Sequence, residues 1–143
     1  MTIQSINPAT GEILESFDEL TEEQVETKLK LATETFRSYR KTSFEKRAAM
    51  LLRAADILDG EKDRWARTMT LEMGKTLKAS IAEVQKCAWG CRYYAQNAER
   101  FLADEPVPME GAESYVRFLP IGPVLALTVT WRTGFKKIGR AHV

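Results

Sequence analysis

Four stretches of the chain repeat apolar residues at alternating steps of four and three, the signature of amphipathic helices. Val25, Leu29, Ala32, Phe36 and Tyr39 form the first stripe, opened by Thr21 and Gln24 at capping-box spacing. Phe44, Ala48, Leu51, Ala55 and Leu58 form the second. Thr42 with Glu45 is a box for its start, Ser43 is the alternative cap, and Gly60 is placed to end it. Trp65, Met69 and Met73 line a shorter third helix closed by Gly74. The fourth is the strongest: Leu77, Ile81, Val84, Ala88, Cys91, Ala95, Ala98 and Leu102 keep one rhythm over 26 residues, roughly 38 Å of helix. A coiled coil would show the same rhythm. Small residues at 88, 95 and 98 argue instead for close packing against other elements, and Gly90 inside this helix suggests a close backbone approach.

Period-two patterns flank the helices. Ile3 to Phe17 reads as a β-hairpin around the turn cluster Asn7-Pro8-Ala9-Thr10-Gly11, with Ile13, Glu15 and Phe17 on one side of the second strand. A two-stranded hairpin is marginal alone and must dock on something. Asp104-Glu105-Pro106-Val107-Pro108 breaks the fourth helix and starts an extended linker. Residues 114–119 alternate as a strand, with Val116 and Phe118 on one face and Tyr115 and Arg117 on the other. Pro120 to Thr130 is an apolar run of the kind found in buried parallel strands. A parallel strand needs a crossover and a second strand, about 30 residues or more in all. Only thirteen residues follow Thr130, and they show no helical stripe. The expectation is an α/β fold cut off one strand into its sheet.

Composition narrows the chemistry. The 143 residues are 44% apolar and 29% charged, with a formal charge of +1, as in a globular domain. Basic and acidic residues interleave, which gives no electrostatic reason to expect nucleic acid or an anionic membrane as partner. Met1-Thr2-Ile3-Gln4-Ser5 does not read as a signal peptide, no run is long enough for a membrane span, and two cysteines make no disulfide framework. A reduced, cytoplasmic protein is the expectation. The only histidine is His142, so the body of the chain has no imidazole for a Ser-His or Cys-His pair, and most zinc sites are excluded.

Three groups of residues invite a functional reading. Cys87 and Cys91, four apart on the long helix, could be a redox pair or half of a metal site. No other ligand accompanies them, and small apolar fillers in a helix interface is the preferred reading. Gly74-Lys75-Thr76 looks like the end of a phosphate loop, but position 69 is Met69, where that motif needs glycine, and the flanks are helical. A helix end at Gly74 and a helix cap at Thr76 explain it better. Trp89, Tyr93 and Tyr94 lie partly off the main stripe, to line a tunnel, face a partner or pack against a further domain. No catalytic, cofactor-binding or metal-binding residue is assigned.

Five motifs, taken in order, resemble the N-terminal part of an NAD(P)-dependent aldehyde dehydrogenase. They are Asn7-Pro8-Ala9-Thr10-Gly11-Glu12; Arg47-Ala48-Ala49 with Leu51-Leu52-Arg53-Ala54-Ala55-Asp56-Ile57-Leu58; Leu71-Glu72-Met73-Gly74-Lys75; Arg92-Tyr93-Tyr94-Ala95; and Tyr115-Val116-Arg117 with Pro120-Ile121-Gly122-Pro123-Val124-Leu125-Ala126. Within the family, Glu72-Met73-Gly74-Lys75 and the long helix are most similar to bacterial succinate-semialdehyde dehydrogenases. The resemblance implies a Rossmann-like cofactor domain, a catalytic domain and a small oligomerisation sheet. The motifs run across residues 3–126, and the chain would supply the hairpin, the helical layer around the cofactor domain, one strand of the oligomerisation sheet (114–119) and the first cofactor-domain strand (123–130). It also implies the chemistry: a cysteine thiolate attacks the aldehyde, hydride passes to the nicotinamide of NAD or NADP, and a glutamate activates the water that hydrolyses the thioester. Both catalytic residues would lie downstream, and Cys87 and Cys91 match neither motif.

The resemblance weakens in the tail, 127–143. The family continues with Pro-Trp-Asn-Phe-Pro, whose asparagine stabilises the oxyanion, where this chain has Thr128-Val129-Thr130-Trp131-Arg132-Thr133-Gly134. If Trp131 is a displaced relic of that tryptophan, Arg132 replaces the asparagine. Ile138-Gly139-Arg140-Ala141-His142-Val143 is the peptide encoded by one frame of a common short-read sequencing adapter, and the expectation is that 138–143 derive from it. The sequence thus predicts an N-terminal aldehyde dehydrogenase fragment, inactive alone and prone to aggregate. The complete protein would be a homo-oligomer acting on an aldehyde such as succinate semialdehyde, without nucleic-acid or membrane partners. The rival reading is a self-contained helical interaction module, binding through the long helix and the strand at 114–119.

Overall fold

A computed structural model describes residues 3–125. Two strands, β1 (Ile3–Ile6) and β2 (Ile13–Phe17), precede four helices: α1 (Glu22–Tyr39), α2 (Phe44–Gly60), α3 (Lys62–Met73) and α4 (Leu77–Phe101). Strands β3 (Glu105–Val107) and β4 (Ser114–Val116) follow. Each pair of strands forms its own two-stranded antiparallel sheet. In the first, Ile3 faces Phe17 and Ser5 faces Glu15, but Ile6 faces Ile13. Leu14 is therefore the extra residue of a bulge, and the strict alternation expected of β2 is interrupted there.

The helix starts follow from side-chain chemistry. Thr21 and Gln24 complete the capping box of α1 in both directions, satisfying two of the backbone N–H groups that a helix start leaves without partners. Ser43, not Thr42, caps α2: its hydroxyl accepts from the Lys46 N–H. The chain is already extended at Ser43, which places its oxygen over the first turn. Gly60 does not end α2 in a left-handed cap as expected. It is the last helical residue, and Glu61 serves as the joint between α2 and α3. Gly74 does end α3, with φ +68°, the left-handed value that glycine adopts without steric cost.

Helices α2 and α3 pack on α4, and the core lies between them. Its buried apolar side chains are Ala55, Ala66, Val84 and Ala88. Of the small residues of the fourth stripe expected to pack closely, Ala88 is fully buried, while Ala95 and Ala98 are only half-buried. Each buried methyl contributes only about 0.8 kcal/mol, so this core is thin. Ser80 is also fully buried in it, and its hydroxyl is matched by the Thr70 hydroxyl at 3.2 Å. The inward face of α3 is centred on Ala66 rather than on Trp65, which is 37% exposed. Gly90 shows no close approach either, since a Cβ there would meet nothing within 4 Å.

Helix α1 stands outside this packing. None of its residues is buried, and Val25, Leu29 and Tyr39 of its stripe are exposed. After α4 the expected linker contains β3, which pairs with β4 in the register Glu105–Val116, Pro106–Tyr115 and Val107–Ser114. Strand β4 ends at Val116 instead of continuing to 119. Phe118, Leu119 and Pro120 then pass beside Phe44 and Leu102, and Gly122 and Pro123 come back to α1. No strand is formed by residues 120–125. The rest of the expected strand 123–130, Trp131 and Arg132, the tail and His142 lie outside the described residues.

Candidate functional site

The N-terminal turn is built around Asn7, which is buried although polar. Its side-chain Oδ1 accepts from the Ala9 N–H (3.0 Å), its carbonyl from the Gly11 N–H (2.8 Å), and its own N–H donates to the Glu12 carbonyl (2.9 Å). An asparagine that folds its side chain onto the backbone two residues ahead makes such a turn self-supporting. Gly11, at φ +77°, closes it. The turn docks on the end of α3. Ser5 Oγ donates to Glu72 Oε1 at 3.1 Å, and Pro8 lies against Gly74, whose missing Cβ would be 3.0 Å from Pro8 Cγ. Two of the five sequence motifs thus meet in space, about 65 positions apart.

Gly74-Lys75-Thr76 is the corner between two helices, as its structural reading expects. Thr76 caps α4 by accepting from the Ala79 N–H, and Lys75 is paired with Glu83. The lysine is therefore held by a carboxylate of its own chain, and the corner joins helix to helix rather than strand to helix.

A second pair of motifs is tied by charge. Arg92 of α4 reaches across to α2 and donates to Asp59 Oδ2 at 2.6 Å and to Asp56 Oδ1 at 2.9 Å. The hydrogen bond to Asp59, then that to Asp56, holds the guanidinium charge more firmly than in a free arginine, against a smaller desolvation cost. Sequence reasoning missed this bridge. The available signal was two aspartates three apart on one helix face and an arginine beside the apolar stripe of another.

The two thiols differ in their surroundings. Cys87 is exposed, which corrects its assignment as an interface filler, while Cys91 is half-buried beside the packed face; both are free. Among the described residues, no group of three or more His, Cys, Asp or Glu is arranged to hold a metal ion. The aromatic group is real and lies on the outer side of α4. Trp89 stacks on Tyr93 with centroids 5.3 Å apart, Tyr94 meets Tyr93 edge-on, and Phe101 joins at 6.0 Å. Trp89 is 62% exposed, so the group covers no core within the described residues.

A cleft of about 470 Å³ lies between the start of α2 and the end of α4, lined by Phe44, Ala48, Leu51, Ala95, Ala98 and Leu102. The Arg47 guanidinium at its rim sits over the rings of Tyr39 and Phe44, 5.6 and 5.7 Å from their centroids, and donates to the Arg40 carbonyl. Glu45, Gln96 and Glu99 line it as well, and the Arg47 Nε is buried with no hydrogen-bond partner among the described residues. The β3–β4 hairpin is held at its base by a two-pronged pair, Arg117 to Asp104 at 2.9 and 2.5 Å. Among the described residues, no helix is long and apolar enough to cross a membrane.

Four of the five sequence motifs thus meet in two pairs. The family described as "Aldehyde dehydrogenase family" matches residues 1–134. A protein of Synechocystis sp. named "Probable succinate-semialdehyde dehydrogenase", with NADP(+), is 45% identical over 140 residues, 98% of this chain and 31% of that one. The NADP(+) succinate-semialdehyde dehydrogenase 1 of Mycobacterium bovis is 47% identical over 130 residues, 89% of this chain and 28% of its own. Among solved structures, the succinic semialdehyde dehydrogenase of Streptococcus pyogenes, crystallised with NADP+, superposes with a TM-score of 0.74. It is 34% identical, and the match covers 78% of this chain and 25% of that one. The chain spans less than a third of the length of these relatives.

Proposed function

We propose a function from one premise, that the chain belongs to the aldehyde dehydrogenase family. The complete protein that carries this region oxidises an aldehyde to a carboxylate with NAD or NADP, and its substrate is succinate semialdehyde. The observation that carries the reading is the pair of relatives at 45% and 47% identity, both named as NADP(+) succinate-semialdehyde dehydrogenases. Their names favour NADP over NAD. The complete protein is proposed to work as a homo-oligomer in the cytoplasm.

Within that enzyme, residues 3–125 serve as scaffold. The hairpin is pinned to the α3–α4 corner through Ser5–Glu72 and Pro8–Gly74, and α2 is clamped to α4 through Arg92. The Gly74-Lys75 corner does not fit a phosphate site. Lys75, the cation of the one glycine–lysine pair that could suggest a phosphate site, is paired with Glu83 at a helix–helix corner. No catalytic step is assigned to residues 3–125. The test is expression of the complete reading frame from the same source, assayed with a panel of aldehydes and both cofactors. Highest kcat/KM is expected for succinate semialdehyde with NADP. Preference for an uncharged aldehyde would overturn the substrate assignment, and absence of any dehydrogenase activity would overturn the reading itself.

A further inference from the structure

We draw no further inference here: the strongest candidate, the exposed aromatic face made by Trp89, Tyr93 and Tyr94 on α4, carries nothing, because nothing in the structure shows what covers it.

Discussion

Pro8 and Gly74 are in contact across the joint between the N-terminal turn and the α3–α4 corner, with Pro8 Cγ 3.0 Å from the position a Cβ on residue 74 would take. Gly74→Ala meets two penalties at once. The residue must hold φ +68°, and its new methyl must displace the proline ring. A loss of about 1–2 kcal/mol in local stability is expected, most of it from the backbone. Amide exchange across 71–77 should rise roughly fivefold or more. Pro8→Ala in the same background should restore only the steric part, and an unchanged exchange rate in Gly74→Ala would refute the contact.

Gly90 and Ala88 lie two residues apart on α4 and predict opposite outcomes. Nothing within 4 Å would meet a Cβ at Gly90, so Gly90→Ala should raise stability by about 0.5–1 kcal/mol through helix propensity. Ala88 is fully buried against the other helices, and Ala88→Leu should lower stability by about 1–3 kcal/mol through overpacking. Helical circular dichroism on heating reads both. Equal effects of the two substitutions would mean that the α4 face is wrongly placed.

Arg92 spans two carboxylates, and a lysine ammonium cannot occupy both positions with a planar fork. Arg92→Lys should loosen α2 from α4 modestly, by less than Gly74→Ala disturbs its corner. Asp59→Asn should matter more than Asp56→Asn, because Asp59 makes the shorter bond and is the less exposed. These side chains are partly solvated, so the differences should shrink at high salt. Melting at low and high ionic strength checks this; salt-independent differences would contradict it.

The Asp104–Arg117 pair predicts an acid limit for the β3–β4 hairpin. The hydrogen bonds from Arg117, and then its charge, lower the Asp104 carboxyl below its ordinary value of 3.8, against a desolvation cost. A carboxyl lowered on folding stabilises the folded form above the unfolded value and loses that contribution as pH falls through the folded value. The hairpin should therefore be indifferent to pH at neutrality and lose this tie only below about pH 3.8. A carbon-13 NMR titration of the Asp104 carboxyl should show a midpoint below that of an unpaired aspartate. A midpoint at or above 3.8 would rule the pairing out.

Local chemistry was legible in the sequence, and contacts between distant segments were not. The Thr21–Gln24 box, the left-handed stop at Gly74 and the long stripe of α4 depend on neighbours within a turn or two, and each appears where its pattern places it. The choice between Thr42 and Ser43 turned on one residue of extended backbone, which spacing alone does not fix. Strand β3 was hidden because Pro106 and Pro108 suggest an unpaired linker, although a proline is tolerated in a sheet that is all edge. Gly90 misled because a helix glycine has more than one explanation. The Pro8–Gly74 contact and the Arg92 bridge required the fold itself, since nothing in the local pattern says which segments meet.

We propose that this stretch frames an aldehyde dehydrogenase without containing its reaction centre. Purified 143-residue chain, mixed with succinate semialdehyde and NADP or NAD, should produce no NADPH or NADH above the protein-free rate, while the complete protein assayed beside it should turn over. Sustained, chain-dependent formation of reduced cofactor by the 143 residues alone would contradict the account.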